Sequence, residues 1–206
     1  MKYLETVIGS GMLDEINKTD YITAFEQLNV TGTNLTKDSL IFCEKDVIDK
    51  VCIVNKGSVR SEKVYPDGDI HIMQIYEVGG VFALETALSK LKTSPLEYIC
   101  NEDSTIVFVP IRAIESSDYR NEIMDTLVQR MASDSIKNMY KIEILAERGL
   151  RQRILLYLHI LQKKSGTKKV SVKMDREQMA QYLCVNRSAL SNELNKMKRE
   201  KIIDFR

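Results

Sequence analysis

The spacing of apolar residues changes twice along the chain, and each change marks a different kind of element. Two short helical stretches, Met12–Thr19 and Asp20–Gln27, come first. From residue 40 to residue 109, β-branched residues gather in short runs: Leu40–Phe42, Val51–Val54, Val59–Tyr65, Ile70–Tyr76 and Ile106–Val109. Turn formers separate them at Lys56-Gly57, Pro66-Asp67-Gly68 and Gly79-Gly80. Tyr65–Asp69, between two runs, reads as a β-hairpin. Short strands at such regular spacing predict a compact antiparallel barrel or double-wound roll.

From Tyr119 to Ala146 the period becomes helical. Ile123, Leu127, Met131, Asn138, Ile142 and Leu145 fall on or near one stripe, flanked by Met124, Val128 and Met139. A helix of about 27 residues is ~40 Å long, more than a small roll can cover. Part of its apolar surface is therefore expected to meet a second chain, the alternative being a long helix packed wholly within its own subunit. Ser135 and Asn138 put polar groups into the stripe, where they can set register, face water or line a ligand pocket. Glu147-Arg148-Gly149 is the predicted hinge, because glycine weakens helix continuity. Beyond it, Leu150–Leu161 is apolar on nearly every side, as a core helix would be. Lys163–Lys169 reads as a basic loop, Val170–Val172 as a short strand and Asp175 as a helix N-cap.

The segment Asp175–Phe205, DREQMAQYLCVNRSALSNELNKMKREKIIDF, carries the most specific pattern. Met179, Ala180 and Leu183 belong to a first helix, Cys184-Val185-Asn186 to a turn, and Leu190, Leu194 and Met197 to one face of a second helix. Ala180 is small where the two helices must cross. The other face of the second helix shows Arg187, Ser188, Ser191, Asn192 and Lys196, groups that hydrogen-bond base edges and phosphates. This is the build of a helix-turn-helix. Spacing alone also fits a surface helical hairpin, and charge separates the two. From Arg148 onward there are 15 Lys+Arg against 5 Asp+Glu; from Met1 to Glu147 the counts are 15 against 24. The balanced total hides a basic module suited to a polyanion.

Other function classes find less support. No run of eighteen apolar residues is long enough for a membrane span, and the acidic N-terminus does not read as a signal peptide. Cys43, Cys52, Cys100 and Cys184 are scattered, which suits free thiols in a reducing cytoplasm. Metal-ligand spacing, a nucleophile–base arrangement and a phosphate loop are all missing, so no metal, cofactor or catalytic residue is assigned. His71 and His159 stand alone.

The order of roll, long helix and helix-turn-helix resembles the CRP/FNR family of bacterial transcription regulators. RQRILLYL (Arg151–Leu158) and DREQMAQYLCVNRSALSNEL (Asp175–Leu194) carry the resemblance most specifically, and Cys52–Glu85 looks like the family's sensor roll. The resemblance implies an α+β chain with a β-roll sensor at 1–118, a dimerisation helix at 119–147 and a winged helix-turn-helix at 148–206. A wing would need a returning strand after Ile202-Ile203-Asp204-Phe205, so it is expected to be truncated or incomplete.

The departures from the family are informative. Cyclic-AMP-binding members have a Gly-Glu pair and, about ten residues on, an Arg-Ser pair that clamps the cyclic phosphate. A buried phosphodiester needs such a cation. Here Ser94-Pro95-Leu96 stands near the Arg-Ser position, no arginine lies between Arg60 and Arg112, and Lys90 and Lys92 sit in a loop. Cyclic-nucleotide binding is not expected. The cysteine cluster of iron–sulfur members is also missing. The effector could be an apolar metabolite, a thiol-modifying signal or none, with Glu85, Thr93, Ser94, Ser135 and Asn138 as candidate pocket residues. Cys184 stands where many helix-turn-helices have Gly, and its thiol is a candidate redox switch beside the alternative of a small buried residue.

The reading is a homodimeric, sequence-specific DNA-binding regulator on a pseudo-palindromic operator, with half-sites ~34 Å apart and RNA polymerase as a further partner. Arg187, Ser188, Ser191 and Asn192 would read bases, while Lys196, Lys198, Arg199, Lys168 and Lys169 would hold phosphates. Asn192 replaces the family's common arginine and favours adenine over guanine, so the half-site should be neither TGTGA-like nor TTGAT-like. The competing reading is a small-molecule-binding roll whose C-terminal domain contacts protein. It predicts weak DNA binding with little salt dependence. An enzyme is the third and weakest option.

Overall fold

A computed structural model describes residues 1–204. The chain divides into two compact units: Met1–Gly68 with Met73–Asp134, and Asp69–Ile72 with the segment from Ser135 onward. The division falls inside the long helix, not at Glu147–Gly149. Phe205 and Arg206, on which the expected incomplete wing rests, lie outside the described residues. Among the described residues, no helix is long and apolar enough to cross a membrane.

The first unit begins with α1 (Leu4–Gly9) and, after a 3-10 turn at Lys18–Asp20, α2 (Tyr21–Gln27). The expected helix at Met12–Thr19 is not there. Gly11 sits at φ 80° and starts a series of turns. Met12, Leu13 and Ile16 mimic a helical face in their spacing because each is anchored in the core.

Eight strands follow: β1 (Thr31–Leu35), β2 (Leu40–Phe42), β3 (Lys50–Lys56), β4 (Val59–Val64), β5 (Ile70–Tyr76), β6 (Val81–Phe82), β7 (Glu97–Cys100) and β8 (Ser104–Pro110). They form two four-stranded sheets, ordered β1-β8-β3-β6 and β2-β7-β4-β5. In β3 the residues Val51–Val54 are all fully buried, which is why this central strand reads as an unbroken apolar run. It pairs antiparallel with β8, Val51 opposite Val109 and Ile53 opposite Val107. The β3–β4 turn requires Gly57, at φ 81°, because a Cβ there would lie 2.3 Å from Ser104 Oγ. The expected β4–β5 turn closes with the Gly68 N–H donating to the Tyr65 carbonyl at 3.0 Å. Phe82 stacks on Tyr98 at 5.4 Å between ring centroids, with Tyr76 5.5 Å from Phe82. Short helices α3 (Leu84–Leu88) and α4 (Ile111–Ser116) follow β6 and β8.

Helix α5 runs 27 residues, Arg120–Ala146. Ile123 and Leu127 are buried in the first unit. Beyond them the expected stripe splits. The buried face continues through Asp134, Lys141 and Ile144, while Asn138 and Ile142 are exposed. The apolar residues read as one stripe therefore belong to two faces of the helix.

The second unit adds α6 (Leu150–Ser165), α7 (Arg176–Leu183) and α8 (Arg187–Arg199). Its core joins Ile144, Ile154, Tyr157, Met179, Ala180, Leu183, Leu190, Leu194 and Met197. Helix α6 ends at Gly166, whose left-handed backbone lets its N–H donate to the Gln162 carbonyl at 2.9 Å. The expected strand at Val170–Val172 is not formed. A strand needs a hydrogen-bonded neighbour, and the described residues offer none there.

Candidate nucleic-acid interface

Helix α7 starts with a full capping box. The Asp175 carboxylate accepts from the Gln178 N–H at 2.8 Å, and the Gln178 side-chain oxygen accepts from the Asp175 N–H at 3.2 Å. It ends at Cys184, φ 53°, with the Val185 N–H returning to the Ala180 carbonyl at 3.0 Å. A Cβ in this left-handed conformation costs roughly 1 kcal/mol. Burial pushes the Cys184 thiol up, against the opposing pull of Lys141 and Arg153. The group is therefore kept protonated, which counts against the redox-switch idea.

After this turn, Leu190, Leu194 and Met197 anchor α8 in the core, and Ala180 is buried beneath it. The opposite face is left to solvent. Arg187, Ser188, Asn192 and Lys196 are exposed and Ser191 is half-buried. A trough of about 930 Å³ runs along α8 and brings together Asn192, Lys196, Lys198 and Arg199. Lys168 and Lys169 are exposed on the loop after α6 and are not part of its lining. Arg187 lies 3.7 Å from Glu177, and Lys198 lies 3.0 Å from Asp204. Exposed pairs of this kind contribute about 0–1 kcal/mol, so phosphates can readily displace the carboxylates.

Sequence reasoning missed several residues here. Ala189, Glu193 and Asn195 line the trough, and Arg151 of α6 binds two acids of the α8 region. Its Nε donates to Glu193 at 2.5 Å, while its two terminal nitrogens reach Glu200 at 2.6 and 3.3 Å. Glu200 and Glu193 hold the guanidinium well above its usual range, and Arg151 depresses the Glu200 carboxyl in return. Arg153 was equally silent. Its Nε donates to the Glu147 carbonyl at 2.9 Å and a terminal nitrogen to the Leu183 carbonyl at 3.1 Å, bridging the ends of α5 and α7. Lys141 lies 4.2 Å over the Tyr182 ring and donates to the Ile72 carbonyl.

The candidate effector residues are more dispersed. Glu85 is exposed on α3, and Thr93 is exposed beside Val47. Ser94 is buried, but its hydroxyl donates to the Leu96 carbonyl at 2.6 Å and accepts from the Leu96 N–H, so it serves a local turn. Ser135 and Asn138 are exposed on α5. The turn into α3 places Ala83 at φ 60° and buries Leu84. A crevice of about 160 Å³ in the first unit is lined instead by residues such as Ser10, Asp14, Thr126 and Arg130.

Comparison with known proteins agrees with this architecture. The family described as "Cyclic nucleotide-binding domain" matches residues 33–116, and the "Crp-like helix-turn-helix domain" matches residues 152–206. A global nitrogen regulator of Synechococcus elongatus is 21% identical, covering 91% of this chain and 90% of that protein. Among solved structures, a CooA mutant from Carboxydothermus hydrogenoformans superposes with a TM-score of 0.76 at 18% identity, over 94% of this chain and 86% of that one. The regulator CLP of Xanthomonas campestris, described as c-di-GMP responsive, gives 0.74 at 13% identity over 96% and 95%. These two structures share the fold. With a cyclic nucleotide-binding domain followed by a Crp-like helix-turn-helix, the chain belongs to the CRP/FNR family of transcription regulators.

Proposed function

We propose that two copies of this chain pair through α5 and read a two-fold-related DNA site, each copy laying α8 in the major groove. The observation that carries this reading is the face of α8: an exposed polar and cationic surface on a helix fixed from below by Leu190, Leu194 and Met197. Arg187, Ser188, Ser191 and Asn192 read bases, and Lys196, Lys198, Arg199, Lys168 and Lys169 hold phosphates. Pairing is supported by an unpartnered seam on α5. Val128, Ala132, Ser135, Met139 and Ile142 recur at alternating spacings of four and three, with Val128, Met139 and Ile142 58%, 65% and 68% exposed. Ser135 falls in this seam as a polar register marker.

The roll takes an effector other than cyclic AMP. Its support is the buried Leu84 in the turn to α3, the Ser94 hydroxyl committed to its own turn, and the stretch between Arg60 and Arg112 without an arginine. A regulator of this kind works in the cytoplasm, beside its operator and RNA polymerase. Two substitutions test the DNA reading. Asn192→Ala should relax specificity while retaining affinity for random DNA, and Lys196→Ala should weaken both and lower the salt slope by about 1 per protomer. Equal small effects of both on operator and random DNA would overturn the residue roles. Binding-site selection from random DNA tests the half-site, and recovery of TGTGA or TTGAT would contradict it.

A further inference from the structure

We propose that Arg151 supports DNA binding by masking two carboxylates of the α8 region, Glu193 in the trough and Glu200 just after the helix. The proposal rests on the reading that α8 enters DNA. Only five acidic residues follow Arg148, and Arg151 engages two of them, Glu193 and Glu200. Glu193 lines the same trough as Asn192 and Lys196. Glu200 follows the last residue of α8 and caps it with an N–H donated to the Lys196 carbonyl at 3.0 Å. A free carboxylate at either place would face the phosphates that Lys196, Lys198 and Arg199 are set to meet.

The contact geometry suits arginine and not lysine. Three nitrogens of one planar group serve two carboxylates at once, Nε on one and the terminal pair on the other. Arg151 lies on α6, outside the trough lining, so its effect on DNA travels through Glu193 and Glu200. The consequence is electrostatic, and salt separates it from a mechanical one. Unmasked carboxylates repel phosphates strongly in dilute buffer and weakly when screened, whereas a displaced helix binds badly at every salt concentration.

The test measures affinity of the full-length protein for an operator and for random duplex DNA between about 50 and 300 mM salt. Arg151→Ala should weaken both roughly tenfold at the low end, with the loss shrinking as salt rises. Adding Glu193→Gln and Glu200→Gln to that variant should restore affinity to near the wild-type value. Arg151→Lys should fall between, because it keeps the charge and loses the fork. If the triple variant binds as weakly as Arg151→Ala, or the loss is independent of salt, masking is refuted. Should Arg151→Ala fail to fold, Glu193→Gln/Glu200→Gln with Arg151 intact decides the matter. It should bind at least as tightly as wild type with a steeper salt slope, and weaker binding overturns the proposal. Failure of the wild type itself to bind DNA would instead remove the underlying reading of α8.

Discussion

Lys141 is an ammonium taken largely out of water inside the second unit, with Tyr182 beneath it and the Ile72 carbonyl as its acceptor. Desolvation brings it down to about 8 from its ordinary 10.5, with Cys184 pulling weakly the other way. Below pH 8 the lysine is charged in both folded and unfolded chains, and its burial weakens the fold. Between about 8 and 10.5 the unfolded chain holds more protons, so stability rises with pH in that window. Lys141→Met removes this rise. Denaturant unfolding at pH 7 and pH 9.5 should show wild type gaining roughly 1–3 kcal/mol relative to the variant. Because Lys141 itself pulls the Cys184 thiol down, both proteins should carry Cys184→Ala, which removes the opposing titration of that thiol from the comparison. Equal pH profiles would mean that Lys141 is solvated in the folded protein. At Cys184 itself, Cys184→Gly should raise stability by about 1 kcal/mol, since glycine occupies φ 53° without strain. Thermal unfolding should move up by a few degrees while operator affinity stays unchanged.

Among the elements, α5 presents opposite faces that mutagenesis can tell apart. Leu127 is 1% exposed and Val128, its neighbour in sequence, is 58% exposed. Leu127→Ala should cost about 2–5 kcal/mol through the cavity it leaves. Met139→Glu/Ile142→Glu should leave the folding of each chain intact, yet give monomers by sedimentation and lose operator binding. A double variant that remains dimeric would place the pairing elsewhere. The sequence could not separate these faces, because Ile142 and Leu127 both satisfy a helical period and only packing distinguishes them. The helix-turn-helix was legible for the opposite reason: its cap, turn and core residues interact within three to seven positions. Arg151 was invisible because its partners lie 42 and 49 residues away. Strand β1, half-exposed and carrying Thr, Gly and Asn, gave no apolar run, and Met12, Leu13 and Ile16 imitated a helix that Gly11 prevents.

On the scale of the molecule, charge is divided as sharply as structure. The 15 basic and 5 acidic residues from Arg148 onward contrast with 15 and 24 before it. A near-neutral protein with this division should still bind duplex DNA with a steep salt dependence, because counterion release depends on the cations that touch phosphate and not on the total. Lys168 and Lys169 offer a clean measure. Both are exposed on the loop after α6 and lie outside the lining of the α8 trough, so they are expected to meet phosphates and not bases. Lys168→Ala/Lys169→Ala should therefore reduce the slope of log affinity against log salt by about 2 per protomer, equally for operator and random DNA. The ratio between the two affinities should not change. A loss confined to the operator would make these lysines sequence readers and shift part of the specificity from α8 to the loop. An unchanged slope would remove them from the interface and leave phosphate binding to Lys196, Lys198 and Arg199.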